Sequence, residues 1–512
     1  MTASARVRGF ALMAAAASTL VFSPARALLR ERITSTTFTL PATLEPSVSS
    51  WHLWTKHTLG PRLYHEPLPD GRTMVGWTDA SKNGHVSILS TTVQSTFNFP
   101  GEPVRGLVAH ADGSFAVLLL NRGTSSDFVD DFMRLSKRSA TGTQLWTVTL
   151  STTQYTPNPA LFEIGDSRLA YAAGVYGAYF SVHSSSGHEG DRYQRVNDNG
   201  TILTGGWSWG LSHSMSGVIA AHPENSSLHT VGSSDCYPSK SLLFDKNTVL
   251  FAADADCAGK VSVQLGQMAP ARGALWLVAM DAIDRPGFPA RGVGIARVRP
   301  GGTPTLTWLT NTDGSNERDP VIARIGTSLG SNRFLVGWRQ LSDGSARIAV
   351  VDSNAIVRSG PEVVTPAITW GARDDSYRTR PDGSISWVEG ASGSSTLRLH
   401  RYSESTGVAV EEPAPSAGSP GLAMLPPYPN PVRGESATLR FTLDRPGHVT
   451  LRIHDASGRV IRELLDGERA AGPHEVRWDR RIASGQPARS GMYFATVEAG
   501  GARASTRFLL LQ

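Results

Sequence analysis

Along most of this chain apolar and polar residues exchange places at short intervals, with the period of strands rather than of helices. Seven hairpins can be centred on turn residues at Asp70-Gly71, Asp112-Gly113, Gly165-Asp166, Glu224-Asn225, Arg272-Gly273, Ser331-Asn332 and Asp382-Gly383. The second strand of each is an apolar run: Thr73–Trp77, Phe115–Leu119, Leu169–Ala173, Leu228–Gly232, Leu275–Ala279, Phe334–Trp338 and Ile385–Val388. Successive centres stand about 42 to 59 residues apart, the length of one four-stranded propeller blade. Outer hairpins follow most of them, as at His85–Leu89, Gly294–Val298, Arg347–Asp352 and Thr396–His400. Two hairpins make a blade. The pattern predicts an all-β chain whose residues 28–410 form a β-propeller of about seven blades; one large sandwich, or several small ones, would alternate similarly.

A stretch rich in proline and small residues follows, from Glu411 to Gly421, and reads as part of a linker over 411–427. Beyond it the alternation returns in shorter pieces, such as Ala437–Leu443, His448–His454 and Gly491–Glu498, separated by turns such as Asp444-Arg445-Pro446-Gly447. Short strands at this spacing predict a small immunoglobulin-like β-sandwich over 428–512.

Five motifs in this segment occur in a telling order: Tyr428-Pro429-Asn430-Pro431; Pro446-Gly447-His448-Val449; Ile453 to Arg459, ending Ser457-Gly458-Arg459; Gly472-Pro473-His474 with Trp478-Asp479; and Ser490-Gly491-Met492-Tyr493-Phe494. On these residues the segment resembles the immunoglobulin-like domain of the flagellar hook-capping protein and the type A sorting domain of type IX (Por) secretion substrates. The resemblance implies a bacterial protein whose C-terminal domain meets secretion or cell-envelope machinery. The basic closing residues of many such signals are missing from Leu509–Gln512. The motif residues themselves read as structural: Gly458 and Gly491 serve turns, and Trp478 and Tyr493 fill a core.

At the other end Arg6 and Arg8 precede an apolar run from Phe10 to Phe22 and then Ser23-Pro24-Ala25-Arg26-Ala27, the form of a signal peptide over 1–27 cut after Ala27. The run is too short to cross a bilayer comfortably. A secreted or cell-surface protein is expected. Removing Arg6, Arg8 and Arg26 takes the formal net charge from +5 to +2, too little to argue for a nucleic-acid partner. The two cysteines, Cys236 and Cys257, both fall in the exported part. They are expected to form a disulfide worth about 3 kcal/mol in the chain-entropy model; two buried thiols are the alternative.

Candidate chemistry concentrates between Val182 and Ser214. His183, His188 and Asp191, with Glu189 and His213 nearby, carry the donor types of a transition-metal site. They lack the spacing of a known metal motif, and polar loop residues are the competing account. Trp207 and Trp209 stand two apart and so share one face of a strand. Together with His213 they are candidates for stacking on a sugar ring or a peptide side chain at a propeller mouth; packing between blades is the alternative. Gly326-Thr327-Ser328-Leu329-Gly330 has the outline of a nucleophile elbow but runs into a strand instead of a helix. Asp254 and Asp256 offer too few oxygens for calcium. No cofactor is expected. The reading is an exported, non-enzymatic propeller that binds an extracellular glycan or protein, its C-terminal domain serving secretion or surface attachment. The alternative is a secreted hydrolase or lyase acting on polysaccharide, which would require paired carboxylates.

Overall fold

The computed structural model describes residues 28–46, 61–121, 132–150, 168–183, 189–212, 214–234, 242–252, 263–283, 290–310, 316–365, 376–404, 422–428, 432, 436–443, 445–455 and 458–510. The chain divides into two compact units, Met1–Glu404 and Ser405–Gln512.

Among the described residues, seven four-stranded antiparallel sheets build the first unit. Blades 1 to 6 span residues 64–99, 104–149, 168–212, 214–251, 263–308 and 317–363, each running outward in chain order. Blade 7 takes Arg378–Thr379, Ile385–Gly390 and Thr396–Tyr402 from the end of the unit and its outermost strand, Ile33–Thr39, from the beginning. The expected propeller is present. Its second strands are buried on both faces, as in Thr73–Thr78 and Leu275–Ala282, because each blade is covered by a neighbour on either side. That explains why they read as continuous apolar runs. Outermost strands such as Gln144–Thr149 keep the alternation of a half-exposed edge.

The ring is closed through blade 7. Ile33 pairs with Tyr402 and Thr39 with Thr396, and Phe38 is buried in one cluster with Trp77, Val388 and Leu397. Polar contacts stitch the same seam. Arg378 Nε lies 3.1 Å from Glu66 Oε1, Arg380 Nη1 donates to Thr73 Oγ1 at 3.0 Å and Nη2 to Gly71 O at 2.7 Å, and His65 Nε2 donates to Ser386 O at 3.1 Å.

Apolar clusters fill the seams between blades, but unequally. Between blades 1 and 2 the core includes Met74, Val86, Leu107, Phe115 and Val117; between blades 5 and 6 it includes Leu277, Ile295, Ile322, Val336 and Trp338. Between blades 3 and 4, among the described residues, the cluster consists of Tyr179, Tyr193 and Ile219, with Trp207, Ala170 and Leu228 partly buried around it. Among the described residues this is the smallest of the inter-blade clusters.

Within a blade the first-to-second and third-to-fourth strand turns lie at one end of the ring, here the turn end. The other connections, including those that pass the chain to the next blade, lie at the opposite, handover end. The longest connections, 40–63, 150–167, 252–262 and 364–377, are all at the handover end.

One expected hairpin is shifted. Leu169–Ala173 was expected as a second strand, whereas Arg168–Ala172 is the innermost strand of blade 3, and the turn is Ala173-Gly174, with φ of 47° and 79°. Alanine rarely accepts positive φ, so this turn carries a weaker signature than the Gly165-Asp166 pair, which lies outside the described residues.

In the second unit, Ala437–Leu443 sits between Leu422–Tyr428 and Gly472–Trp478 in one sheet; the other runs Val460–Arg469, Gly447–Asp455, Gly491–Ala499, Ala502–Leu510. Trp478, Tyr493 and Phe508 meet edge-on or stacked at 5.6 to 5.9 Å between ring centroids, over Leu439, Phe441, Leu451 and Ile453. Trp478 Nε1 donates to Arg481 O at 2.9 Å and Tyr493 Oη to Arg489 O at 2.7 Å, so neither polar tip is buried without a partner. The sandwich opens earlier than expected: Leu422–Tyr428, assigned from composition to the linker, is a strand at the edge of its sheet. Its pairing shifts register between Leu425 and Tyr428, across Pro426 and Pro427. Proline removes a ladder donor and is tolerated at such an edge.

Candidate functional site

Two cavities stand out in the propeller. The first lies at this last seam. At the turn end of blades 3 and 4 a cavity of about 440 Å³ opens between the hairpin residues Ala172, Ala173 and Val175 and the hairpin residues Asn225, Ser226, Ser227 and Leu228; Tyr193, Arg195 and Gly205 complete its wall. Arg195 sits on Glu189–Asn197 beside Gly205 on Ile202–Ser212. Its Nη1 donates to Thr204 O at 3.2 Å. Gly205 has a φ of 85°, and a Cβ there would lie 3.0 Å from Arg195 Nη1. Glycine therefore leaves the guanidinium its place.

Opposite, Asn225 Oδ1 accepts from Ser227 N at 3.1 Å and from Ser227 Oγ at 2.6 Å, which fixes a polar turn against the cavity. Behind it Tyr193 is buried against Trp207, with ring centroids 5.8 Å apart. Burial pushes the Tyr193 phenol above its ordinary value, with the Arg195 charge opposing. The phenol is therefore a neutral donor over the whole physiological range. The cavity thus combines one cation, a phenol, an amide, two hydroxyls and small apolar surface.

The second cavity lies on the axis and encloses about 320 Å³. All seven innermost strands contribute, among them Glu66, Val108, Tyr171, Ile219, Gln267, Arg324 and Arg378. Its polar groups largely satisfy one another. Glu66 pairs with Arg378, while Arg324 donates to Gly326 O, Pro270 O and Thr327 O at 3.0 to 3.2 Å. Gln267 reaches across from blade 5 to the backbone of Tyr377 in blade 7.

The residues nominated from sequence are placed as follows. Trp207 lies on the outermost strand of blade 3, away from the axis, packed against Tyr179 and Tyr193 with Lys246 Nζ of blade 4 at 5.4 Å from its ring centroid. It therefore lies at the seam between blades 3 and 4 instead of a channel mouth. Asp191 is 1% exposed; its Oδ2 accepts from Tyr179 Oη at 2.5 Å and its Oδ1 from Leu211 N at 2.8 Å. These bonds tie the second, third and fourth strands of blade 3 together. His183 ends the strand Val175–His183, and its backbone pairs with Glu189. The side chains of His183 and Trp209 lie outside the described residues, as do His188, His213, Cys236 and Cys257. Among the described residues no group of three or more His, Cys, Asp or Glu side chains is arranged to hold a metal.

Sequence reasoning passed over Arg195, Tyr193 and Gln267. Gln267 left a trace, as a polar residue in the otherwise apolar run Leu265–Ala269. Arg195 left none, because the wall it faces comes from another blade.

The family model described as FlgD Ig-like domain matches residues 431–503, in agreement with the immunoglobulin-like part of the resemblance. Among curated proteins none matches the chain. Solved structures with a similar course include α-L-arabinanase of Penicillium chrysogenum complexed with arabinobiose, at 10% identity and a TM-score of 0.37, over 72% of this chain and 98% of that one. The polysaccharide lyase Uly1 aligns at 9% identity and 0.39, over 65% and 88%. PorZ, a bacterial surface component of the type-IX secretion system of Porphyromonas gingivalis, aligns at 11% and 0.18, over 93% and 100%. At these identities and scores none of the three bears on activity.

Proposed function

We propose that this chain is an exported, non-enzymatic propeller that binds an extracellular saccharide in the cavity between blades 3 and 4, and that its immunoglobulin-like domain serves secretion or surface attachment. The observation that carries the reading is the composition of that cavity. Arg195, Tyr193, Asn225 and Ser227 supply donors and acceptors at an open seam, and the lining contains no carboxylate. Hydroxyl-rich ligands are held by such scattered polar groups over small apolar patches. Hydrolysis would instead call for two carboxyl groups flanking the bond. The attachment role draws on the order of motifs from Tyr428 to Phe494 and on the match over residues 431–503.

The test is isothermal calorimetry of the full chain against neutral and uronic-acid oligosaccharides. One class should bind, with affinity reduced at least about tenfold in Arg195→Ala, as for loss of a charged hydrogen bond, and without release of reducing ends. An absence of binding, or binding indifferent to Arg195, would overturn the assignment.

A further inference from the structure

The buried arginines of the propeller nearly all face an acceptor that neutralises or spreads their charge. Arg291 Nη1 meets Asp281 Oδ1 at 2.5 Å, Arg62 lies 3.9 Å from Glu45, and Arg324 and Arg380 each donate to backbone oxygens of other segments. Arg105 is different. It is 1% exposed, yet among the described residues the one bond its guanidinium makes is from Nη1 to Val104 O, the carbonyl of its own neighbour, at 2.8 Å. Nε and Nη2 are buried with no acceptor among the described residues. A cation taken out of water without a counter-charge is among the least favourable arrangements a folded chain can hold.

The backbone shows how Arg105 comes to be there. It lies in the innermost strand of blade 2, where the ladder shifts between Val104 and Gly106, so that Arg105 is the extra residue of a bulge. Bulges re-aim side chains. Thr78 Oγ1 holds Val104 N at 3.1 Å from blade 1. On the other side a Cβ on Gly106 would lie 3.0 Å from Leu169 Cβ, so the innermost strands of blades 2 and 3 touch at this level. The residue before Leu169 is Arg168, also 1% exposed. Two arginines thus occupy matching positions at the handover end of adjacent innermost strands.

We propose that Arg105 is the core of a site for a small oxyanion: sulfate, phosphate, or the carboxylate of an acidic ligand. A guanidinium with Nε and an Nη unengaged presents the two parallel donors that match two oxygens of such a group. The site is distinct from the cavity between blades 3 and 4, which opens at the turn end.

The test is thermal unfolding of the full chain at constant ionic strength while chloride is replaced by sulfate, phosphate, acetate or trigalacturonate. In the wild type the midpoint should rise and saturate with at least one anion. In Arg105→Met only the gradual, non-saturating rise common to excluded salts should remain, and Arg105→Lys should bind about tenfold more weakly, since an ammonium cannot make the paired contact. Saturation with sulfate or phosphate points to a free oxyanion, and saturation with trigalacturonate alone to the acidic group of a saccharide. Superimposable curves for wild type and Arg105→Met, or saturation in neither, would refute the site. Should Arg105→Met not fold, calorimetric titration of the other proteins decides: a one-site heat that persists in Arg195→Ala and weakens in Arg105→Lys supports it, and no heat, or an unchanged one in Arg105→Lys, refutes it.

Discussion

Gln267 and Tyr377 stand 110 positions apart and exchange two hydrogen bonds: Gln267 Nε2 donates to Tyr377 O at 2.5 Å, and Tyr377 N donates to Gln267 Oε1 at 2.9 Å. A side-chain amide here pairs with a main-chain amide as a neighbouring strand would, and links blade 5 to blade 7 across the axial cavity. Replacing Gln267 by Leu removes the acceptor facing Tyr377 N and one of the donors to Tyr377 O, which keeps Arg378 Nη1 at 3.3 Å, and the loss should be about 1–3 kcal/mol. Gln267→Glu still accepts from Tyr377 N but as a carboxylate cannot donate to Tyr377 O, and it buries a charge; it should be worse still. Urea midpoints of the three proteins check this ordering.

Closure of the ring depends on Phe38, which is 3% exposed in the cluster that also holds Trp77 and Leu397. Phe38→Ala should cost about 3–5 kcal/mol by lost burial and the cavity left behind. The exposed neighbour Thr37→Ala should cost less than about 0.5 kcal/mol. Equal midpoints for the two variants would contradict the part assigned to this strand.

Acid should loosen the contact between blades 2 and 3. His110 Nε2 is 2.6 Å from Tyr176 Oη, and its pKa is held below the ordinary histidine value, first by burial and then by the Lys137 charge. The folded state therefore binds this proton less readily than the unfolded chain does. The stability His110 contributes is complete above about pH 6.5, the unfolded-chain value, and is lost as pH falls through the lower folded-state pKa. Asp112 and Asp198 oppose the shift without reversing it. Histidine proton NMR should show a midpoint below 6.5 for His110, and His110→Gln should flatten that part of the stability profile between pH 5 and 7.

The C-terminal unit should fold alone. A fragment of residues 405–512 is expected to unfold in one cooperative step, and Trp478→Ala within it should lose about 3–5 kcal/mol, since Trp478 is fully buried and packs on Tyr493 and Phe508. A fragment that gives no cooperative transition would contradict the division of the chain.

Much of the fold was legible because its turns obey local rules. Gly71, Gly113, Gly273 and Gly383 all have φ between 77° and 90°, and each marks a hairpin recognised from sequence. The two misplaced elements break such rules: Ala173 takes a positive φ that glycine usually holds, and Leu422–Tyr428 is a strand containing two prolines. The binding cavity was far less legible. The segment around it attracted notice through its histidines and tryptophans, yet the wall is made by Arg195 and by Ser226 and Ser227 of another blade. Periodicity along one strand reports which face is covered, and it does not report which hairpin of the adjoining sheet stands opposite.

The closing strand has a further consequence for how the protein is made. Ser35 Oγ and His400 Nδ1 lie 2.7 Å apart although 365 positions separate them. A nascent chain emerging from its N-terminus holds residues 33–39 long before their partners exist, and an incomplete product is an open arc with an unpaired edge at the end of its last sheet. Residues 405–512 are synthesised only after every strand of the ring exists, so the second unit emerges beside a first unit that is already able to shut.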